Sequence, residues 1–227
     1  MKLLDDLLDL LLPQLCAGCG RSPALLCASC LAFLAGNTPR PAWPDPIPRG
    51  LPSPWAAASY EGPVRAAIVA HKERGRTPLA EPLGRALATA IRTAVTRPGM
   101  AVVPVPSSRA ALRKRGHDPT RRMTVASVHA LRTSGAPVTG LDALYHRRRV
   151  ADQAGLSQTA RARNLAGALG VLPGAPVAGR DIILVDDVIT TGATLSEAAR
   201  TLRAAGARVQ AAATVAATPK HHPSHPQ

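Results

Sequence analysis

Aromatic residues are scarce in this sequence. Only five occur among 227 residues, and they are Phe33, Trp43, Trp55, Tyr60 and Tyr145. A nucleic-acid surface that stacks successive bases needs more aromatic rings than this, so the composition argues against such a surface. Long apolar runs are absent too, because none reaches the roughly 18 residues that a membrane-spanning helix needs.

The sequence also lacks a good export signal, although its first 16 residues look like one. The leucine-rich run MKLLDDLLDLLLPQLC is interrupted by three aspartates, and bulky Leu15 stands before Cys16, where a lipid-acceptor cysteine would follow small residues. Residues 3–12 predict a short helix instead. We therefore expect a cytoplasmic protein whose cysteines are reduced or bound to metal.

Acidic residues are half as frequent as basic ones. The chain has 14 Asp and Glu against 28 Lys and Arg, which gives a formal net charge of +14. This excess predicts an anionic partner, such as nucleic acid, a nucleotide, pyrophosphate or another acidic surface. Charge alone does not choose among these partners, and biased codon usage accounts equally well for the richness in alanine, arginine and proline.

The cysteines are few but regularly spaced. All four lie in two C-x2-C pairs, CAGC and CASC, with seven residues between the pairs. Two such pairs supply the tetrahedral sulfur set that zinc prefers, and four sulfur ligands leave no open position for a substrate. The predicted ligands of a structural zinc are therefore Cys16, Cys19, Cys27 and Cys30. A disulfide framework, a redox pair, and a knuckle that docks a partner or nucleic acid are the alternatives.

A proline-rich stretch divides the chain. Seven prolines lie between Asn37 and Trp55, too many for a helix or a central strand, so this stretch predicts an extended linker. The predicted organisation is a short helix with a cysteine module at 1–36, the linker at 37–55, a main domain at 56–217 and a disordered tail at 218–227.

In the main domain, strand patterns alternate with helix patterns. This alternation predicts an α/β fold with a parallel sheet flanked by helices. The segments read as strands are ASYEG at its start, AVVPVP, IILVDD and VQAAATVAA. The segments read as helices are PVRAAIVAHKERG, residues 79–95, SVHAL and SEAARTLRAAG.

The stretch IILVDDVITTGATL carries the densest chemistry. It delivers Asp186 and Asp187 to the carboxyl end of a predicted parallel strand, where open sheets place their ligands. The turn that follows leads into a helix, whose first backbone amides have no partner within the helix. These amides, the threonine hydroxyls and the close backbone approach that Gly192 allows suit a bound phosphate. The candidate phosphate ligands are Thr190, Thr191, Gly192, Ala193 and Thr194. The carboxylates would accept hydrogen bonds from vicinal hydroxyls, and the turn would hold a phosphate. A ribose 5-phosphate has both kinds of group. Two aspartates that only cap a helix are the structural alternative.

These residues carry a specific resemblance. The pattern of four apolar residues followed by Asp-Asp-x-x-Thr-Thr-Gly-x-Thr resembles the phosphoribosyl pyrophosphate (PRPP) loop of type I phosphoribosyltransferases. The blocks YEGPVRAAIVAHKERG, VVPVPSSRAALRKRGHDPTRR and RRRVADQAGLSQTARARNLAGALGV resemble, in order, those of the ComF family. That family carries a four-cysteine module before a phosphoribosyltransferase domain, and the resemblance covers the chain apart from linker and tail. One block departs from the pattern, because His117, Asp118 and Pro119 stand where Phe-Asn-Gln is common.

The resemblance implies further site residues. The turn after the AVVPVP strand would hold pyrophosphate, through Ser107, Ser108 and Arg109. Residues 146–164 resemble the mobile hood that closes over PRPP, and its candidate contacts are Arg147, Gln153 and Arg161. A solvated helix face is the alternative reading of the nearby cations Arg113, Lys114 and Arg121.

The resemblance also implies a mechanism, in which a nucleophile displaces pyrophosphate from C1 of PRPP while Mg2+ neutralises the leaving group. Asp186 and Asp187 would orient the ribose hydroxyls, and Asp187 is the favoured acceptor of the nucleophile's proton. The alternative function is a non-catalytic sensor of PRPP or nucleotide whose zinc module and basic surface bind single-stranded DNA during DNA uptake in competence. Competence and helicase proteins would then be partners, and a homodimer is compatible with either function.

Overall fold

The computed structural model describes residues 15–21, 23–36, 38–148 and 164–219. The predicted helix at 3–12 and most of the predicted tail lie outside these residues. The helices are α1 Ala28–Ala35, α2 Gly62–Glu73, α3 Ala80–Ala94, α4 Arg109–Arg115, α5 Pro119–Thr133 and α6 Ala193–Ala204. The strands are β1 Arg40–Pro41, β2 Ser53–Ser59, β3 Ala101–Pro104, β4 Thr139–Gly140, β5 Leu144–His146, β6 Leu169–Val171, β7 Asp181–Ile189 and β8 Arg208–Ala217.

Six strands form one mostly parallel sheet in the order β1-β2-β8-β7-β3-β4. Only β1 runs antiparallel to its neighbour, while the other four pairings are parallel. The strands β5 and β6 form a separate antiparallel pair. The predicted parallel sheet flanked by helices is thus confirmed. Within the described residues, no helix is long and apolar enough to cross a bilayer.

Both faces of the sheet are buried, which explains the unbroken apolar run that begins β7. Side chains of a strand alternate between faces, so Ile183 and Val185 join one core cluster while Ile182 and Leu184 join the other. The first cluster lies under α2, α3 and α5, and the second lies under α6. A strand covered on both faces has no polar side to show in its sequence.

The proline-rich stretch predicted as an extended linker instead folds back on itself, and part of it belongs to the sheet. Arg40 and Pro41 pair antiparallel with β2 at the sheet edge, where a proline costs little because the outer side needs no ladder bond. The strand β2 begins at Ser53, within the predicted linker. Leu51 is buried in the core cluster under α6. The stretch therefore does more than connect two parts of the chain, and the division into domains itself stays a prediction.

Helices α3 and α5 cross at close range because α3 has a glycine at the contact. A β-carbon on Gly84 would lie 2.5 Å from Ala126 Cβ and 2.8 Å from the Met123 carbonyl oxygen. Both obstacles are part of α5 and cannot rotate away. The approach of the two helices therefore depends on the missing side chain.

We expect Gly84→Ala to destabilise the protein by up to about 2 kcal/mol. Alanine gains about 1 kcal/mol of helix propensity, but overpacking against the backbone of α5 costs about 1–3 kcal/mol. Urea unfolding measures the difference. Gly140→Ala is the matched control, since its β-carbon would meet only Val128 Cγ2, at 3.7 Å. A Gly84→Ala variant as stable as the parent would contradict the close crossing.

Candidate functional site

The end of β7 extends beyond one of its neighbours. Pairing with β3 stops at Val185, while pairing with β8 continues to Ile189. The prediction that the strand ends at the aspartates was therefore wrong, because β8 keeps residues 186–189 extended. Two amides here donate to carboxylates: Asp187 N–H to Asp186 Oδ1 at 2.8 Å, and Val188 N–H to Asp187 Oδ1 at 2.9 Å. Both acidic side chains are thus fixed to the strand that carries them.

A lysine that the sequence analysis missed contacts this acidic pair. Lys72 lies in the last turn of α2, and its Nζ forms an ion pair with Asp187 Oδ2. The Asp187 side chain is 7% exposed and that of Lys72 is 36% exposed, so the pair is shielded but reachable from solvent. No local signal points to Lys72, because 115 positions separate it from its partner. Only the packing of α2 on the sheet brings the two together.

The two aspartates have different electrostatic environments. Burial raises the pKa of Asp186 well above its ordinary range, the charge of Asp187 raises it further, and Lys72 only partly opposes these effects. Burial lowers the pKa of Lys72, but the charges of Asp187 and Asp186 outweigh burial and leave its pKa raised. Lys72 therefore stays protonated beside Asp187, while Asp186 is the carboxylate that most readily takes a proton.

The turn after β7 leads directly into α6. Gly192 precedes the helix in a left-handed conformation, with φ of 72°, which favours glycine over other residues. A β-carbon there would also lie 3.1 Å from Leu51 Cδ2 and 3.2 Å from Pro44 Cγ. The structure brings the five predicted phosphate ligands, residues 190–194, together in this single turn at the helix N-terminus.

The turn after β3 is held by a residue that departs from the family pattern. Asp118 accepts hydrogen bonds from Ser107 N–H at 3.0 Å and from the Ser107 hydroxyl at 3.2 Å, and it also caps α5. The Ser107 proton is therefore committed, whereas Ser108 Oγ accepts from Ala111 N–H at 3.2 Å and keeps its proton for a ligand. Arg109 follows as the exposed first residue of α4.

Two histidines connect α2 to the start of α5. One ring nitrogen of His71, Nε2, lies 3.3 Å from the Pro119 carbonyl oxygen, and His117 Nε2 lies 3.3 Å from the His71 carbonyl oxygen. Burial lowers the pKa of His71, which keeps its ring neutral. These contacts hold α2, which carries Lys72, against the start of α5.

The predicted hood is described only at its ends. Gln153 and Arg161 lie outside the described residues. Arg147 is exposed and directly follows β5, whose pairing with β6 brings the two ends of the hood segment together. His146 Nε2 lies 3.1 Å from the Pro106 carbonyl oxygen. The hood therefore starts beside the turn after β3.

The other candidate cations on α4 and α5 have separate surroundings. Arg113 and Lys114 are exposed on α4. Arg121 donates from Nε to Asp142 Oδ2 at 2.7 Å. These positions agree with the solvated helix faces that were the alternative reading.

The four cysteines converge as a set that could hold a metal ion. Their Sγ atoms all lie within 4.8 Å of one another, and Cys19 and Cys27 are 3.8 Å apart. A tetrahedral thiolate site with metal–sulfur bonds of about 2.3 Å requires sulfur separations of about 3.8 Å. Burial opposes ionisation of Cys16, but backbone amides led by that of Cys27 lower its pKa to about 6. The cysteines are free thiols in this structure, so their arrangement fits metal ligands.

The cysteine module packs onto the main sheet through α1. Leu34 of α1 is 1% exposed and belongs to the core cluster under α2 and α3. Arg76 also donates from Nη1 to the Leu15 carbonyl oxygen at 2.8 Å. A metal at the cysteines would therefore fix α1 against α3 and against α2, the helix that carries Lys72.

Comparison with known proteins agrees with this geometry. The phosphoribosyl transferase domain family matches residues 137–225, which include β7, the aspartates, α6 and β8. No curated protein matches the chain. The mostly parallel sheet with its helices is a type I phosphoribosyltransferase-like fold, and the family match covers the carboxyl-terminal part of that sheet. The narrower resemblance to the ComF family stays a prediction.

Two solved structures share a partial likeness. One is described as the allosteric regulatory enzyme of purine biosynthesis, with 21% identity and a TM-score of 0.36 over 60% of this chain and 26% of that chain. The other is a hypoxanthine phosphoribosyltransferase from Staphylococcus aureus, with 12% identity and a TM-score of 0.27 over 62% of this chain and 61% of that chain. This chain thus spans about a quarter and about three fifths of their lengths.

Replacing each aspartate by asparagine should change stability in opposite directions. A carboxyl whose pKa is raised on folding loses stability as pH rises above its ordinary value of about 4, so Asp186→Asn should stabilise the protein increasingly from about pH 5 to about pH 8. Asp187→Asn should destabilise it by about 1–2 kcal/mol, since Lys72 loses its partner but keeps some solvent. Urea unfolding of both variants at the two pH values measures these effects. Equal destabilisation by both substitutions would contradict the assignment.

Proposed function

We propose that this protein binds PRPP with Mg2+ at the carboxyl end of β7 and transfers the phosphoribosyl group to an acceptor, releasing pyrophosphate. The observation that carries the proposal is that two groups of functional residues follow each other directly along the chain. The acidic pair at the end of β7 runs within three residues into a turn with Gly192 in the left-handed conformation, at the N-terminus of α6. Carboxylates that can accept hydrogen bonds from hydroxyls are thus adjacent to amides that can bind a phosphate.

Each part of PRPP has matching groups on the chain. Asp186 and Asp187 accept hydrogen bonds from the ribose hydroxyls, and residues 190–194 surround the 5-phosphate with amides and hydroxyls. The pyrophosphate lies towards the turn after β3, where the Ser108 hydroxyl and Arg109 donate. Lys72 is paired with Asp187, so it compensates negative charge on the ribose side of the site.

The chemistry is a substitution at C1 of the ribose. The acceptor's nucleophile forms a bond to C1, the bond from C1 to the pyrophosphate oxygen breaks, and its electron pair leaves with the pyrophosphate. Carboxylate oxygens suit Mg2+, which when bound neutralises the leaving group. The sequence analysis favoured Asp187 to take the acceptor's proton. The raised pKa of Asp186 and the ion pair of Asp187 with Lys72 favour Asp186 for this role instead. A hood that begins at Arg147 excludes water during the reaction.

We also propose that the cysteine set holds one structural zinc ion. Zinc is the metal most often bound by four thiolates in this spacing, and no coordination position remains for a substrate. Its contribution is to fold residues 16–30 into two turns and to fix α1. The acceptor chemistry therefore belongs to the β7 end of the sheet.

Isothermal titration calorimetry tests the PRPP site. Wild-type protein should bind PRPP only when Mg2+ is present, and the Asp186→Asn, Asp187→Asn double variant should bind it roughly ten- to a hundredfold more weakly, because charged acceptors of the ribose hydroxyls are lost. Asp142→Asn is the matched control, since this exposed aspartate pairs with Arg121 on α5. Unchanged affinity in the double variant would refute the proposed site.

Metal analysis tests the zinc proposal. Purified protein should contain about one zinc ion per chain, and its removal by a chelator should lower the Tm because the ligand set then loses its folding contribution. Adding zinc back should restore the Tm. A preparation that is free of zinc and has the same Tm would show that the cysteines have another role.

A further inference from the structure

The turn after β3 has few backbone amides to offer an anion. Residues 104–107, at the end of β3 and in the turn, include two prolines, which have no N–H. The Val105 amide donates to a carbonyl oxygen of β7 at 2.9 Å, and the Ser107 amide donates to Asp118 Oδ2 at 3.0 Å. Within residues 104–107, all of which the structure describes, every amide proton is therefore missing or already paired.

Asp118 accepts three hydrogen bonds, and it needs both carboxylate oxygens to do so. Besides the Ser107 amide on Oδ2, it accepts from the Ser107 hydroxyl at 3.2 Å and from the Arg121 amide at 3.1 Å, both on Oδ1. An asparagine has one acceptor oxygen, and its NH2 group only donates. In either orientation of such an amide, one proton of Ser107 would lose its acceptor. The carboxylate is thus what keeps both protons of Ser107 occupied.

The residues on both sides of Asp118 are anchored to α2. His117 Nε2 lies 3.3 Å from the His71 carbonyl oxygen, and the Pro119 carbonyl oxygen lies 3.3 Å from His71 Nε2. Because His71 is 1% exposed, these contacts connect the triplet to a buried part of the chain. The three residues that depart from the family pattern thus act together, since the outer two fix the position of the carboxylate between them.

We propose that Asp118 is a specificity-determining residue that keeps the affinity of the turn after β3 for pyrophosphate low. Its carboxylate withholds both protons of Ser107 from the anion and adds a negative charge near it, and like charges repel. Ser108 and Arg109 are then left to donate. The inference rests on the proposed function where it identifies the anion as pyrophosphate, and it implies that this product leaves the site readily.

Calorimetry with inorganic pyrophosphate and Mg2+ tests this restraint. Asp118→Asn should bind pyrophosphate roughly tenfold more tightly than the wild-type protein, because one proton of Ser107 becomes available and one negative charge is removed. Asparagine and aspartate cap helices about equally well, so a thermal melt should show that the variant is folded. Asp142→Asn is the matched control, because it removes the same charge from an exposed aspartate that pairs with Arg121. Its affinity for pyrophosphate should stay close to that of the wild-type protein.

A second variant, Asp118→Ser, covers the case in which Asp118→Asn does not fold. Serine also caps helices well, but its single oxygen cannot accept from both Ser107 and the first turn of α5 in the way that the carboxylate does. Asp118→Ser should therefore also bind pyrophosphate more tightly than the wild-type protein. The direction of the change separates two roles of Asp118, because a residue that only supports the turn would weaken binding when it is replaced. Equal or weaker binding of pyrophosphate by the folded variants would overturn the proposal.

The outcome separates this inference from the proposed function. If wild-type protein binds PRPP with Mg2+ but neither Asp118 variant binds pyrophosphate more tightly, the restraint fails and the PRPP site stands. If an Asp118 variant binds pyrophosphate more tightly while PRPP does not bind the wild-type protein, the restraint stands and the proposed transfer fails. If pyrophosphate binds to neither the wild-type protein nor the variants, the restraint fails whatever PRPP does.

Discussion

The pairing of β7 with β8 beyond the end of β3 determines the geometry of the candidate site. Four residues, 186–189, stay extended because β8 runs beside them to Ala217, while β3 has already ended opposite Val185. The segment is therefore rigid on one side and open on the other. This strand end, paired on one side only, positions both carboxylates, the phosphate turn and the start of α6.

Placing two carboxylates on such a strand costs free energy, because both lose water and repel each other. The chain offsets this cost in two ways. Lys72 pairs with Asp187, and the raised pKa of Asp186 lets this carboxyl take up a proton more readily than an exposed aspartate does. The free site therefore carries less negative charge than two aspartates suggest. When a ligand with Mg2+ or hydroxyl donors binds, the charge of the site can therefore change by one proton.

The sequence predicted features that depend on neighbouring residues. The apolar run of residues 182–185, the adjacent aspartates and Gly192 are local signals, so the strand, the acidic pair and the turn were all found, as was the cysteine set. Features that depend on packing between distant segments were missed. Lys72 meets Asp187 only because α2 lies on the sheet, and the strand's true end depends on the length of β8. Asp118 binds Ser107 across a helix, which no spacing rule predicts.

The proline-rich stretch shows how a composition signal can locate a segment and still miss its conformation and its role. The seven prolines disfavour a helix there, yet the segment reverses direction so that β1 pairs with β2. Leu51 and Pro44 lie within about 3.2 Å of where a β-carbon on Gly192 would be. Gly192 is therefore required twice, once for its positive φ and once for space. The proline-rich stretch therefore packs directly against the phosphate turn. A displacement of residues 44–51 would therefore change the surroundings of Gly192.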